Sequence, residues 1–291
     1  MSRINELRTK IKNIRNTEKI TKAMEMISTS KMRKAQETMR SSRPFSITIT
    51  DLINNLYYSC LDQHDFFIKR PEINIGLLVI SSDRGLCGGL NINLFKKCYS
   101  HIMMWKHNNS NTQIKIATIG EKSKKFYSNK CIDNIKVIAS LEQISQKPKI
   151  KDLIGVIQVL LQEYKEKKID SIYIAYNEFE SIMKQNPVIK PLLPIITDVT
   201  NKTQGLQTEY IFEPNINVLL DLLLKRYIES LVYQGVVENI ASEHSARMVA
   251  MKNATDNANQ ILDNLQIYLN KERQAIITKE IAEIVGGSIG I

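Results

Sequence analysis

The 291 residues carry 40 Lys and Arg against 30 Asp and Glu, a net charge of +10, with 43% hydrophobic and 24% charged residues. Those are the proportions of an ordinary soluble chain of one or two domains with a sizeable core. No run approaches the roughly 18 uncharged apolar residues needed to span a bilayer; the nearest, 218–224, is short and carries Asp221.

The first ten residues, MSRINELRTK, contain no apolar core of a signal peptide, and Glu6 with the helical pattern behind it argues against a transit peptide. A cytoplasmic location is expected. The charge is unevenly placed. Residues 1–40 hold 11 Lys/Arg and 4 Asp/Glu, a net +7, whereas residues 238–291 hold 5 and 7, a net −2. The two ends are therefore electrostatically complementary. A basic helix also suits nucleic acid or anionic lipid. No aromatic residue occurs among the first 40, and no zinc finger or known reading motif appears, so nucleic acid is not the expected partner.

From Ser2 to about Asn55 the pattern is helical. Ile4, Leu7, Ile11 and Ile14 recur at steps of three and four, and Thr21, Met24 and Ala35 continue the stripe after a shift. No Pro interrupts before Pro44 and no Gly occurs before Gly76. A helix of that length predicts a coiled coil or a long packed hairpin.

The middle of the chain changes character. Ile75–Ser81, Ile114–Ile119, Ile135–Ala139 and Ile172–Tyr176 are short β-branched runs. They alternate with helical stretches at Leu90–His107, Glu121–Asn129 and Lys151–Lys168, which predicts βαβ units and a mainly parallel sheet. Ile182–Ile196, with Pro187, Pro191 and Pro194, reads as an edge strand or a connection, and 197–214 as a polar linker.

The C-terminal end mirrors the N-terminal one. Between about Asn215 and Val285 there is a single Gly, Gly235, and no Pro. Ala241, Ser245, Met248, Thr255, Ala258, Leu262, Leu265, Leu269 and Ile276 trace a seam of small and flexible residues, suited to close approach and repacking. About 70 helical residues at 1.5 Å each would span roughly 105 Å. Such a helix is expected to project from the body that carries it.

The fold class expected is α/β: a long antiparallel coiled coil of N- and C-terminal helices with an inserted Rossmann-like α/β domain. The expected divisions are 1–58, 72–200 and 210–291. There is no internal repeat or low-complexity tract.

The loop SSDRGLCGGLN at 81–91 follows a strand and precedes a helix, where Rossmann folds hold phosphates. Gly85, Gly88 and Gly89 could admit a pyrophosphate to the helix N-terminus. Their spacing is G-x-x-G-G, however, not G-x-G-x-x-G, and no G-K-[ST] follows, so a tight structural turn is the preferred reading. Cys87 beside Arg84 has the setting of an activated thiolate but no His close in sequence.

Cys60, Cys87, Cys98 and Cys131 form no CxxC pair, and His64, His101, His107 and His244 no spaced cluster, so neither a metal site nor a disulfide framework is expected. Neither paired carboxylates nor a Ser-His-Asp arrangement can be picked out. The chain is expected to need no cofactor and to be no enzyme by itself. Beyond Glu283 every residue is uncharged; an apolar terminus on a projecting helix calls for an apolar socket.

Three segments together resemble the gamma subunit family of bacterial F-type ATP synthases. They are IKNIRNTEKITKAMEMISTSKMRKAQ at 11–36, SDRGLCGGLN at 82–91, and 242–287, which includes SEHSARMVAMKNATDNA and NKERQAIITKEIAEIVGG. Ile277, Thr278, Glu280 and Glu283 meet the terminal I-T-x-E-x-x-E signature.

The resemblance implies a central-stalk rotor peripheral to the cytoplasmic face of the bacterial inner membrane. One copy would stand inside a ring of three alpha and three beta subunits, with the inserted domain at the foot against the epsilon subunit and the membrane c ring. Proton-driven rotation would cycle the beta sites and make ATP, with reversible hydrolysis.

By the same resemblance Met24, Lys19 and Lys22 match a segment facing an acidic loop of beta. Arg247, Gln274, Thr278 and Glu280 match positions of contact with beta and of coupling, and Arg273, next to Gln274, is an expected ionic contact to the collar formed by the alpha and beta subunits. Ile284, Val285, Ile289 and Ile291 match the tip held in an upper bearing. The ending Gly287-Ser288-Ile289-Gly290-Ile291 departs from the family's usual Ala-rich one, which implies looser packing of the tip. The inserted cysteine pair of plastid members has no counterpart here. A self-assembling coiled-coil scaffold is the competing class.

Overall fold

The computed structural model describes residues 2–60, 65–109, 112–128, 135–145, 147–195 and 216–289. Helix α1 (Ser2–Cys60) opens the chain. The middle follows as β1 (Asn74–Ile80), α2 (Leu90–Asn108), β2 (Gln113–Ile119), α3 (Glu121–Ser128), β3 (Ile135–Leu141), α4 (Ile150–Lys165), β4 (Ser171–Phe179) and β5 (Gln185–Leu193). Helix α5 (Ile216–Ile289) closes the chain. The linker expected over 197–214 lies outside the described residues, as do Cys131 and His64.

The strands form one sheet in the order β3-β2-β1-β4-β5. β1 pairs in parallel with β2 and β4, and β2 with β3; β5 adds an antiparallel edge. Pro187 and Pro191 lack a ladder N–H, which suits them to that edge. Alternation along β1 sends its side chains to two cores. Leu77 and Val79 meet α2 through Leu94, Phe95, Cys98, Ile102 and Trp105. Leu78 and Ile80 share the opposite core with Leu153, Ile157, Leu160 and Tyr164 of α4 and with Leu224, Ile228, Val232 and Val236 of α5. Helices thus cover both faces of a largely parallel sheet, the arrangement such strands require.

The chain divides into two compact units, Ser30–Ala246 and Met1–Thr29 with Arg247–Ile291. The first contains the sheet and also the adjoining stretches of both long helices. Ile53 of α1 joins the sheet core, and Ser42 Oγ donates to Gln234 Oε1 at 3.0 Å. α1 runs on through Pro44, although proline removes one helical N–H.

In the second unit α1 and α5 pair with each other. Leu7, Ile11 and Ser28 are buried on α1, and Met251, Thr255 and Ala258 on α5. Thr21 and Thr255 share a 2.8 Å hydroxyl hydrogen bond. Arg3 donates to the Tyr268 hydroxyl at 2.5 Å, lies over its ring, and stands 3.5 Å from Glu272. Partner numbers fall on α5 as they rise on α1, so the pairing is antiparallel.

One seam assignment is corrected. Ser245 does not face α1: its hydroxyl donates to Ile182 O, in the turn between β4 and β5, at 2.7 Å. α5 also continues past Val285 through Gly286 and Gly287 to Ile289.

Candidate functional site

The seam buries one side of α1 and leaves another outward. Lys19 and Lys22 are exposed, Met24 is half-buried, and Lys22 Nζ donates to Glu25 Oε2 at 3.1 Å. Ile20 and Ile27 flank Met24 at 61% and 54% exposure. The result is a basic, apolar strip on the outer surface of a helix.

On α5, Arg273, Gln274, Thr278 and Glu280 are all exposed. The Thr278 hydroxyl donates to Gln274 O at 2.9 Å, one turn back. Ile277, Ile281 and Ile284 follow at steps of four and three and are exposed, Ile284 by 72%, with Val285 beside them. This spacing makes an apolar stripe of Ile277, Ile281 and Ile284 along one exposed face of the helix. Ile289 is the last residue of α5, and Ile291 lies outside the described residues. Arg247 differs from the others, being only 7% exposed.

In the sheet-bearing unit the 82–91 loop meets its polar needs internally. The Asp83 carboxylate accepts backbone N–H groups from Glu121 at 3.0 Å, Gln143 at 3.2 Å and Ile144 at 2.8 Å. It therefore sits at the start of α3, where the helix dipole favours an anion. Asn91 donates to Ser82 Oγ at 2.7 Å and to Cys87 Sγ at 3.3 Å, and its own Oδ1 accepts from Ser82 N at 3.2 Å.

Of the three glycines only Gly88 has a left-handed backbone, φ +58°. Gly89 precedes α2 at φ −84°. At Gly85 an added Cβ would meet nothing nearer than Lys122 at 3.9 Å. Gly120 is more constrained, with φ +103° and space for a Cβ only 2.3 Å from Ser81 O. Cys87 and Cys98 are free and buried; burial pushes the Cys98 thiol up to about 12. Among the described residues no group of three His, Cys, Asp or Glu side chains suits a metal ion, and no helix is long and apolar enough to cross a membrane.

The family model described as ATP synthase matches residues 3–289. The chain belongs to the ATP synthase family. Among relatives within it, the ATP synthase gamma chain of Histophilus somni strain 2336 is 47% identical over 295 residues, covering all of both chains. That of Actinobacillus pleuropneumoniae serotype 5b is 45% identical over 294 residues, again covering all of both.

Two solved structures share the fold. The rotor of Euglena gracilis mitochondrial ATP synthase in rotational state 1 matches at TM-score 0.64 and 18% identity, covering 95% of this chain and 99% of the other. The central stalk and c-ring structure of Tetrahymena thermophila mitochondrial ATP synthase gives a chain matching at TM-score 0.59 and 21% identity, covering 81% and 99%.

Three groups of residues escaped the sequence reading. Ile20 and Ile27 lie seven apart and out of phase with the seam, a signal visible in the pattern itself. Asp83 gave no signal, because its donors come from loops 38 to 61 positions away. Asn177 and Asn239 were silent for the same reason, being 62 positions apart.

Proposed function

We propose that this chain is the central-stalk rotor of an F-type ATP synthase. Its full-length 47% identity to ATP synthase gamma chains carries that reading. In it the paired segments of α1 and α5 form the shaft, standing in a ring of three alpha and three beta subunits. The sheet-bearing unit engages the epsilon subunit and the membrane c ring, at the cytoplasmic face of the inner membrane. Proton flow turns the c ring and this chain with it. Each rotation step changes the relative free energies of the beta-site conformations, which is coupling by differential contact.

The chain performs no chemistry of its own. The outward surface described for it offers charge and apolar contact. Lys19, Lys22 and Met24 meet an acidic surface of beta, where opposite charge guides assembly and fixes register. Arg273, Gln274, Thr278 and Glu280 contact beta or the alpha/beta collar, and the buried Arg247 contributes to coupling from within the chain. Ile284, Val285, Ile289 and Ile291 turn inside an apolar bearing, which accounts for the exposure of Ile284. Gly85, Gly88 and Gly89 make a structural turn; the internal hydrogen bonding of Asp83 and Asn91 supports this.

Native mass spectrometry of the complex tests the assembly. One copy with three alpha and three beta subunits is expected, and homo-oligomers of this chain would favour a scaffold instead. Met24→Lys tests the contact with beta. It is expected to leave assembly intact and to lower ATP-driven proton pumping relative to hydrolysis. An unchanged ratio would remove Met24 from the coupling surface.

A further inference from the structure

We propose that Asn177, Asn239, Ser242 and Ser245 form a polar key that sets the rotational position of α5 on the sheet, making them positioning residues for torque transfer. The proposal rests on the rotor reading.

Between Ile228 and Val236 α5 lies on the sheet through apolar side chains. At Gly235 the approach is close: an added Cβ would fall 3.2 Å from Ile174 Cδ1, 3.3 Å from Ile80 Cδ1 and 3.4 Å from Tyr176 Cδ1. One turn further the contact changes in kind. Asn239 Oδ1 accepts from Asn177 Nδ2 at 2.9 Å and from Asn177 N at 3.3 Å. Ser242 Oγ donates to Asn177 O at 3.0 Å. Ser245 Oγ donates to Ile182 O at 2.7 Å and accepts from Gln185 Nε2 at 3.4 Å. Positions 235, 239, 242 and 245 follow at steps of four, three and three, so one face of α5 makes every one of these contacts.

All four key residues are buried. Three of the five bonds end on backbone atoms of β4 or the turn after it, which cannot follow the helix by changing a rotamer. An apolar contact is non-directional, and a helix held by it alone can roll with little change in buried area. Hydrogen bonds are directional and short. A roll of about 30° carries a side-chain atom ~5 Å from the axis through roughly 2.5 Å, beyond hydrogen-bonding reach. The key thus resists the motion that torque along α5 would impose.

Stability alone does not account for the pair. Asn177 Oδ1 is buried with no hydrogen-bond partner among the described residues. Two apolar side chains of similar volume would avoid that burial cost.

The test uses the assembled complex, immobilised through beta, with a gold nanorod fixed to the exposed face of α4. Unaltered complex and the N177L/N239L double variant are each stalled by an ATP analogue, and the angular variance of the nanorod is recorded. The expected result is a variance roughly twofold wider or more in the variant, with the isolated chain still unfolding cooperatively on heating. Equal variance in complexes whose nanorods rotate under ATP overturns the key. A stationary nanorod in the unaltered complex during hydrolysis overturns the rotor reading instead. Should the double variant not assemble, S242A/S245A removes three of the five bonds without adding volume, and the same two results decide.

Discussion

At the scale of single residues, Thr21 and Thr255 show how little chemistry is needed to pin two helices. Each hydroxyl also donates to, or lies within reach of, a carbonyl one turn back, Glu18 O at 2.9 Å and Met251 O at 2.9 Å. The 2.8 Å bond between them holds the helices in register. Thr255→Val is expected to destabilise the chain by about 1 kcal/mol in denaturant unfolding, because it removes one net hydrogen bond at a buried site. The double change with Thr21→Val should cost less than the sum of the two single changes, since neither partner is then left behind.

Glu238 is the titrating counterpart. Burial raises its carboxyl above the usual range; Gln234, through its hydrogen bond, and the positive charges of Lys190 and Arg43 oppose that, while Glu178 reinforces it. Tyr176 is the other titrating neighbour, and burial pushes its own hydroxyl up to about 12. Glu238 Oε2 is buried with no hydrogen-bond partner among the described residues. A carboxyl whose folded pKa is raised favours folding below its unfolded pKa, about 4.3, and loses that contribution as pH rises through the folded value. Glu238→Gln should therefore raise the melting temperature at pH 8 and have much less effect near pH 4. An equal shift at both pH values would contradict this.

At the scale of elements, Gly235 sets how closely α5 approaches the sheet. Alanine there gains up to about 1 kcal/mol of helix propensity. The added Cβ requires three terminal methyl or ring atoms at 3.2–3.4 Å to give way by a few tenths of an ångström. The two effects are comparable, so Gly235→Ala should stay within about 1 kcal/mol of the original in chemical denaturation. Gly235→Leu adds volume that no small shift absorbs and should cost about 2 kcal/mol.

Much at this scale was legible beforehand. β1, β2 and β4 announce themselves because apolar β-branched runs bounded by polar turns fit buried parallel strands, and β3 shows the same pattern at a half-buried edge. The seam showed through Leu7, Ile11, Thr255 and Ala258, all of which are buried. The length of α1 was legible too: the helical pattern runs past Pro44 to about Asn55, and α1 reaches Cys60 with Ile49 and Ile53 buried. One feature was not legible. Ser245 fits the seam by spacing, but spacing alone cannot tell which of two neighbours a small polar residue meets. Its acceptor, Ile182 O, comes from a turn 63 positions earlier.

At the scale of the whole molecule, the chain divides into two units. One unit holds the paired ends of α1 and α5, and the other holds the sheet with the adjoining stretches of both helices. The resemblance in the sequence already pointed to the family, and the full-length relatives established it. The apolar end around Ile284 was legible in the sequence itself, whereas the role proposed for Met24 came only through that resemblance, since a surface side chain acquires its meaning from the surface it meets.

The most direct test is ATP-driven rotation of a probe on α4 in the complex held through beta. Unidirectional rotation that stops when hydrolysis is inhibited is expected. Continued hydrolysis with a stationary probe would contradict the account.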